Sequence, residues 1–374
     1  MSCALERNQI NNSNHPNPSA AGSAANVSQS NRDWIKVLPG LLISVIVLAV
    51  VLYFVDFRKL VEAIQQANYG LVALGGLASF VWLLIRGMVW HTLLRSKVRY
   101  RDVFFAINEG YLLNNLLPFR LGEVGRAFIL GNKKDRDGNT PGFWRVFSSI
   151  LVERALDMTC AVGVLMTSLA FVVGASWARS AALITGAVVL VGLISLYLLA
   201  RNRAWALAML EKWGRRFPLV LRLGGGIVPA FLSGISVLTE TSRFLRTILW
   251  MLANWGMAIV QYYVLLRAFF PQAELRQAVF TLGVAALGIA TPSSPGNIGV
   301  LEGVIVAALA VFRLDYSTSL AYAVTIHLLQ YIITTLLGAY GLSQEGQTLM
   351  GLYRQLRATR KPSVIEENHD RLIE

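Results

Sequence analysis

Residues 69–94 read YGLVALGGLASFVWLLIRGMVWHTLL, with one charged residue, Arg86, and one histidine, His91, in the whole stretch. A bilayer core of about 30 Å is crossed by a helix of about 20 apolar residues, and this run exceeds that length. Lipid offers no partners to backbone N–H and C=O groups, so a spanning segment is either a helix or part of a closed barrel. Barrel strands are short and alternate between apolar and polar positions. Residues 69–94 do not alternate. The stretch therefore reads as a transmembrane helix.

Outward from it, five more runs of similar character are expected to span: about Val37 to Val55, Val146 to Gly174, Ala181 to Ala200, Leu245 to Phe270 and Ser319 to Leu342. The expected fold class is all-α, a polytopic transmembrane helical bundle of about six full spans. Composition agrees. Hydrophobic residues make up 55% and charged residues 15%, against about 25% charged in soluble domains.

The formal charge of +13 raises nucleic acid as a partner. Its distribution argues against this, because Lys and Arg cluster between and just outside the apolar runs, as the positive-inside rule describes. Arg95, Lys97, Arg99 and Arg101 follow the second span. Eight arginines and lysines lie between Arg201 and Arg246, and Arg354, Arg357, Arg360 and Lys361 follow the last span. Placing all three groups in the cytoplasm requires an even number of spans and puts both ends inside. The chain then divides into a disordered cytoplasmic tail (residues 1–33, rich in Asn, Ser, Ala and Pro), a membrane domain (34–342) and a basic cytoplasmic tail (343–374). The expected location is the cell's inner membrane. Cys3 and Cys160 make neither a disulfide framework nor a metal-spaced pair.

Two further apolar stretches are interrupted. The first, about Val103 to Leu130, breaks at Leu117-Pro118-Phe119. The second, about Ala278 to Phe312, breaks at Thr291-Pro292-Ser293-Ser294-Pro295-Gly296-Asn297. Each half is too short to span, which suits a re-entrant half-helix, and two such hairpins entering from opposite faces are the arrangement of inverted-repeat transporters. The alternatives are an interfacial helix followed by a cytoplasmic one for the first stretch, and two tilted spans for the second.

Charged residues inside apolar runs need a reason. Arg120, Glu123 and Arg126 follow Asn114, Asn115 and Pro118 at a spacing of three, which puts them on neighbouring positions of one helical face. Pro118 and Gly122 fit a helix start, whose free N–H groups attract an anion, and two guanidiniums suit a phosphate. Equally, Glu123 would neutralise both arginines in a packing triad. Glu153, Arg154 and Asp157 form a second group, read either as substrate contacts or as a cap at the membrane surface. Pro295, Gly296, Gly299 and Glu302 form a third. Its glycines permit close backbone approach. Glu302 is open to a headgroup, proton or cation role, or to stabilising its own helix start. Arg86, His91, His327 and Gln330 are weaker candidates, with Arg86 one turn from both Trp82 and Trp90. No nucleotide-binding glycine loop, zinc-spaced set or nucleophile elbow is present, so no metal and no cofactor is expected.

The ordered motifs Asn…Pro-x-Arg-x-Gly-Glu-x-x-Arg, Glu-Arg-x-x-Asp and Pro-Gly-x-x-Gly-x-x-Glu resemble the lysylphosphatidylglycerol synthase transmembrane-region family, also described as flippase-like. The resemblance covers about Val37 to Leu342 and departs at Asn297, where members often carry glycine. It implies a lipid-translocating module whose working residues are Arg120, Glu123, Arg126, Glu153, Asp157 and Glu302. Full-length synthases carry a soluble catalytic domain after this region. This chain is expected to lack it, which weighs against an enzyme. The expected function is binding or translocation of an anionic lipid or polyprenyl-phosphate, with membrane lipids as partners and a protein partner or homo-oligomer open. A glycosyl- or aminoacyl-lipid transferase, or a scaffold for lipid-processing enzymes, are the competing readings.

Overall fold

The computed structural model describes residues 44–94, 98–117, 121–173, 240–289 and 294–344, with Leu42 and isolated positions between 180 and 212. Among the described residues every regular element is helical. In chain order these are α1 (Ser44–Phe54), α2 (Phe57–Gln66), α3 (Tyr69–Leu93), α4 (Tyr100–Leu116), α5 (Gly122–Gly131) and α6 (Phe143–Val173). After residues largely outside the description come α7 (Thr241–Phe269), α8 (Leu275–Gly288), a 3₁₀ turn (Pro295–Asn297), α9 (Val300–Ala310) and α10 (Tyr316–Gln344). Most of the expected fourth span lies outside the described residues, as do Pro118, Arg120, tail 1–33 and nearly all of tail 343–374.

Helices α3, α7 and α10 are long and apolar enough to cross a membrane. Their outward faces agree. Leu249, Leu252 and Leu336 are 65%, 64% and 65% exposed. A leucine side chain prefers burial over water by about 1.5–3 kcal/mol, so rows of this kind are stable against lipid and unfavourable in water. Helix α2 is different. Phe57, Val61 and Ile64 are exposed beside the exposed Arg58–Glu62 pair, the two-faced character of a helix lying at a membrane surface. Its start is held by Asp56, which accepts from the N–H groups of Arg58 and Lys59.

Small residues set how closely the helices approach, as membrane packing requires where no hydrophobic effect drives helices together. Gly75 of α3 leaves room for Leu265 of α7, and Gly338 of α10 faces the carbonyl of Asn108 on α4. The Asn68 N–H donates to the carbonyl of Ala268, tying the start of α3 to the end of α7.

Both interrupted stretches do break. Helix α4 ends at Leu116 and α5 starts at Gly122; α8 ends at Gly288 and α9 starts at Val300. Gly296, Asn297 and Gly299 have φ of 69°, 58° and 86°. The departure at Asn297 is thus physically mild, since asparagine tolerates the left-handed region better than most residues. At Gly299 a side chain would also meet the Ser44 carbonyl oxygen of α1 at 2.7 Å.

Candidate functional site

The two breaks meet. A Cβ added at Gly296 would lie 3.6 Å from the Asn115 carbonyl oxygen and 3.2 Å from the Tyr331 ring. Tyr331 of α10 donates its hydroxyl to that same carbonyl. The Asn115 amide donates to Thr334 and Thr335, 3.2 and 3.4 Å away. Helix α10 therefore carries the end of α4 on one turn and the 294–299 segment on the next.

Asn114 closes the first break. Its Oδ1 accepts the Gly122 N–H at 2.8 Å, so one free donor at the start of α5 is capped across the gap by α4. Its amide nitrogen lies 3.5 Å from Glu123.

Next to the junction is a buried ionic cluster. Arg86 of α3 donates to both oxygens of Asp157 on α6, through Nη1 at 2.8 Å and through Nη2. It also reaches Glu153 Oε1 at 2.5 Å. Arg126 of α5 donates to the other Glu153 oxygen at 2.9 Å, with its guanidinium 4.7 Å from the centre of the Trp90 ring. Arg154 reaches Glu153 at 3.1 Å and Asp157 at 3.5 Å. The side chain of Glu153 is 0% exposed and those of Arg86 and Arg126 are 4% and 5%. Three guanidiniums thus share two carboxylates, joining α3, α5 and α6.

Among the described residues, the Nε–H groups of Arg86, Arg126 and Arg154 are buried and have no hydrogen-bond partner, and the same holds for the indole N–H groups of Trp82 and Trp255. Buried donors are normally paired, so a cluster of orphans asks for an acceptor. Four of these five residues, Arg126 being the exception, stand on the wall of one cavity of about 380 Å³. Its wall also includes Asn114, Asn115, Glu123, Gly296 and Asn297.

The expected site residues therefore divide. Asn114, Asn115, Glu123, Arg154, Asp157 and Gly296 face the cavity, whereas Arg126, Glu153 and Glu302 are buried near it and are not wall residues. Arg126 pairs with Glu153 on α6, not within a triad on its own helix. Pro295 opens the 3₁₀ turn, and Gly122 and Gly299 sit where backbones touch. Pro118 and Arg120 lie outside the described residues. Two weaker candidates matter more than their sequence suggests. Arg86 does pass 5.9 Å from the Trp82 ring, as expected, but its main partners are carboxylates 71 and 67 residues away. His327 bridges Glu302 and the Gly296 carbonyl at 2.6 and 2.9 Å. Trp255 carried no chemical signal in the sequence, because an isolated tryptophan in an apolar run reads as packing, and Trp82 was read only as a ring beside Arg86.

Comparisons with known proteins agree with this membrane architecture. The sequence profile described as Lysylphosphatidylglycerol synthase TM region matches residues 37–338. The chain is also 25% identical over 339 residues to a protein named Glycosyltransferase AglD from Haloferax volcanii, covering 80% of this chain and 53% of that one. It therefore spans about half the length of the curated relative it matches. No solved structure matches. With a match over most of its length, the chain belongs to the lysylphosphatidylglycerol synthase transmembrane-region family.

Proposed function

We propose that this protein binds an anionic lipid, a phospholipid or a polyprenyl-phosphate, in the cavity between its two broken segments and passes it across the cell's inner membrane. The observation that carries the reading is a cavity of about 380 Å³ bordered by both breaks, with the guanidinium-bearing Arg86 and Arg154 on its wall. A phosphate supplies several acceptor oxygens and a compensating charge. Buried charges are retained where partners meet them. In the topology proposed, six spans surround two re-entrant hairpins and both tails are cytoplasmic. Non-helical backbone at membrane depth is tolerated only where protein buries it or a cavity borders it, and both breaks border this one. By the family resemblance, Arg120 is a further candidate to meet the lipid phosphate.

The test is lipid crossing in proteoliposomes, with fluorescent phosphatidylglycerol and a polyprenyl-phosphate reporter offered separately. Arg154→Gln keeps a polar, hydrogen-bonding side chain but removes the charge. A charge-assisted hydrogen bond contributes about 1.5–3 kcal/mol, so crossing is expected to slow by about 10- to 100-fold. Arg120→Ala is expected to slow it as well. Folded native protein that moves neither lipid would sink the proposal.

A second reading takes its support from the relative's name: the cavity would hold the lipid acceptor of a sugar transfer. Glu123 or Asp157 would then act as base. Asp157 is held through both oxygens by Arg86, a poor arrangement for accepting a proton, and this places the second reading behind the first. Turnover of an activated sugar by the purified chain would reverse that order.

A further inference from the structure

His327 stands between two acceptors. Its Nε2 lies 2.9 Å from the Gly296 carbonyl oxygen and its Nδ1 lies 2.6 Å from Glu302 Oε1. The second oxygen of Glu302 accepts the Gly299 N–H at 2.8 Å. A carbonyl oxygen only accepts, so Nε2 must carry a hydrogen. The contact between Nδ1 and Oε1 then requires one more proton, held by either atom. Without it, two lone pairs would face each other at 2.6 Å. With a second added proton, a Glu302 O–H would confront the Gly299 N–H, donor against donor. The geometry accommodates one titratable proton, neither fewer nor more.

We propose that His327 and Glu302 form a one-proton binding site that latches the 294–299 turn and α9 to α10, and that this proton leaves when the latch opens. The three elements tied by it are those at the junction of the breaks. Gly296 and His327 both stand on the cavity wall, so a ligand there touches the latch directly. The turn it holds has positive φ at three residues and few regular backbone bonds of its own, so the side-chain tie has much to hold. The proton site rests on its own geometry. Coupling of that proton to lipid movement rests on the function proposed above, and by linkage a lipid that prefers the open form would expel the proton.

The other titratable groups on the cavity wall are Arg86 of α3, Tyr111 of α4, Glu123 of α5, Arg154 and Asp157 of α6, Tyr262 of α7 and Tyr331 of α10 itself. The described part of α1, which packs on Gly299 and Gly303, contributes no acidic or basic side chain. Arg86, Arg154 and Asp157 are engaged with one another and with Glu153, and Tyr331 bonds to Asn115. The expected pH response at the turn thus belongs to the His327–Glu302 pair.

Amide hydrogen exchange of residues 294–303 in the full detergent-solubilised chain tests the site without any lipid assay. Between about pH 5 and pH 8, where histidine sites titrate, protection is read after correction for the intrinsic base-catalysed rate. Below the ordinary imidazole pKa of about 6.5 the open form also keeps the proton and protection is flat; as pH rises above it, loss of one proton on opening makes protection fall by up to about tenfold per pH unit. Glu302→Gln should remain protected throughout, because its amide donates to Nδ1 and its oxygen accepts from Gly299 with no proton to lose. His327→Phe should be unprotected at every pH. A flat native profile, or the same slope in Glu302→Gln, overturns the proton site. Lipid crossing under an imposed pH gradient then tests coupling. Response in the native chain and none in Glu302→Gln supports it; equal response overturns coupling while leaving the site. Absence of any crossing overturns the proposed function, and the exchange result still decides the latch.

Discussion

Glu153→Leu is expected to destabilise the protein by about 3–5 kcal/mol, the range for removing one partner of a buried ion pair. Glu153 meets Arg86, Arg126 and Arg154 and has no exposed surface. Leucine of similar volume leaves Arg126 with no carboxylate contact among the described residues, while Arg86 and Arg154 keep Asp157. The helices joined by the cluster would separate or admit water. The measurement is the midpoint of denaturant unfolding in detergent, with Arg58→Ala as comparison. Arg58 and Glu62 form an exposed pair one turn apart, and such pairs contribute about 0.3–0.5 kcal/mol. If Glu153→Leu unfolds within about 1 kcal/mol of native, below the range for a broken buried pair, the cluster does not hold α3, α5 and α6 together.

That cluster marks the limit of what the sequence discloses. Long apolar runs gave four helices to within a few residues: Tyr69–Leu93, Phe143–Val173, Thr241–Phe269 and Tyr316–Gln344. Such runs are legible because bilayer thickness imposes a length and because one strong signal, apolarity, is repeated at every position. The breaks were legible too. Proline and glycine act locally, and both interruptions coincide with helix ends. The surface helix Phe57–Gln66 was not read as a helix. Ten mixed residues carry little weight beside spans of twenty.

Pairings between helices were hidden for a different reason. Helical spacing predicts neighbours three or four residues apart, and so Arg126 was grouped with Glu123 and Arg86 with its tryptophans. The partners chosen in the fold lie 27 residues from Arg126 and 71 from Arg86. His327 and Glu302 are 25 apart on different helices. Ionisable residues in apolar runs announce that partners exist, but only the packing of α3, α5 and α6 says which. The glycines occupy the middle ground. Their spacing disclosed that backbones would approach, without disclosing what would approach them.

Gly122 shows how much depends on that approach, and Gly122→Val is expected to be the most damaging of the small substitutions. A Cβ there would overlap the Gly110 carbonyl oxygen of α4 and come within 2.6 Å of the Asn114 side-chain oxygen. Backbone cannot rotate away as a side chain can, so α4 and α5 must part. Parting breaks the Gly122 N–H bond to Asn114 and draws Arg126, one turn further along α5, away from Glu153. Overpacking alone costs about 1–3 kcal/mol, and the lost charge-assisted bond adds about 1.5–3 kcal/mol. The expected outcome is loss of most monodisperse protein on size exclusion and an early unfolding midpoint, with Gly122→Ala affected in the same direction but less. Gly256→Ala is the control, since nothing lies within 4 Å of its added Cβ. Alanine in that mid-helix position should stabilise by about 0.5–1 kcal/mol. Should Gly122→Val unfold with the native protein, α4 and α5 do not touch there. The capped break between them, with the cavity wall built on it, would then need another support.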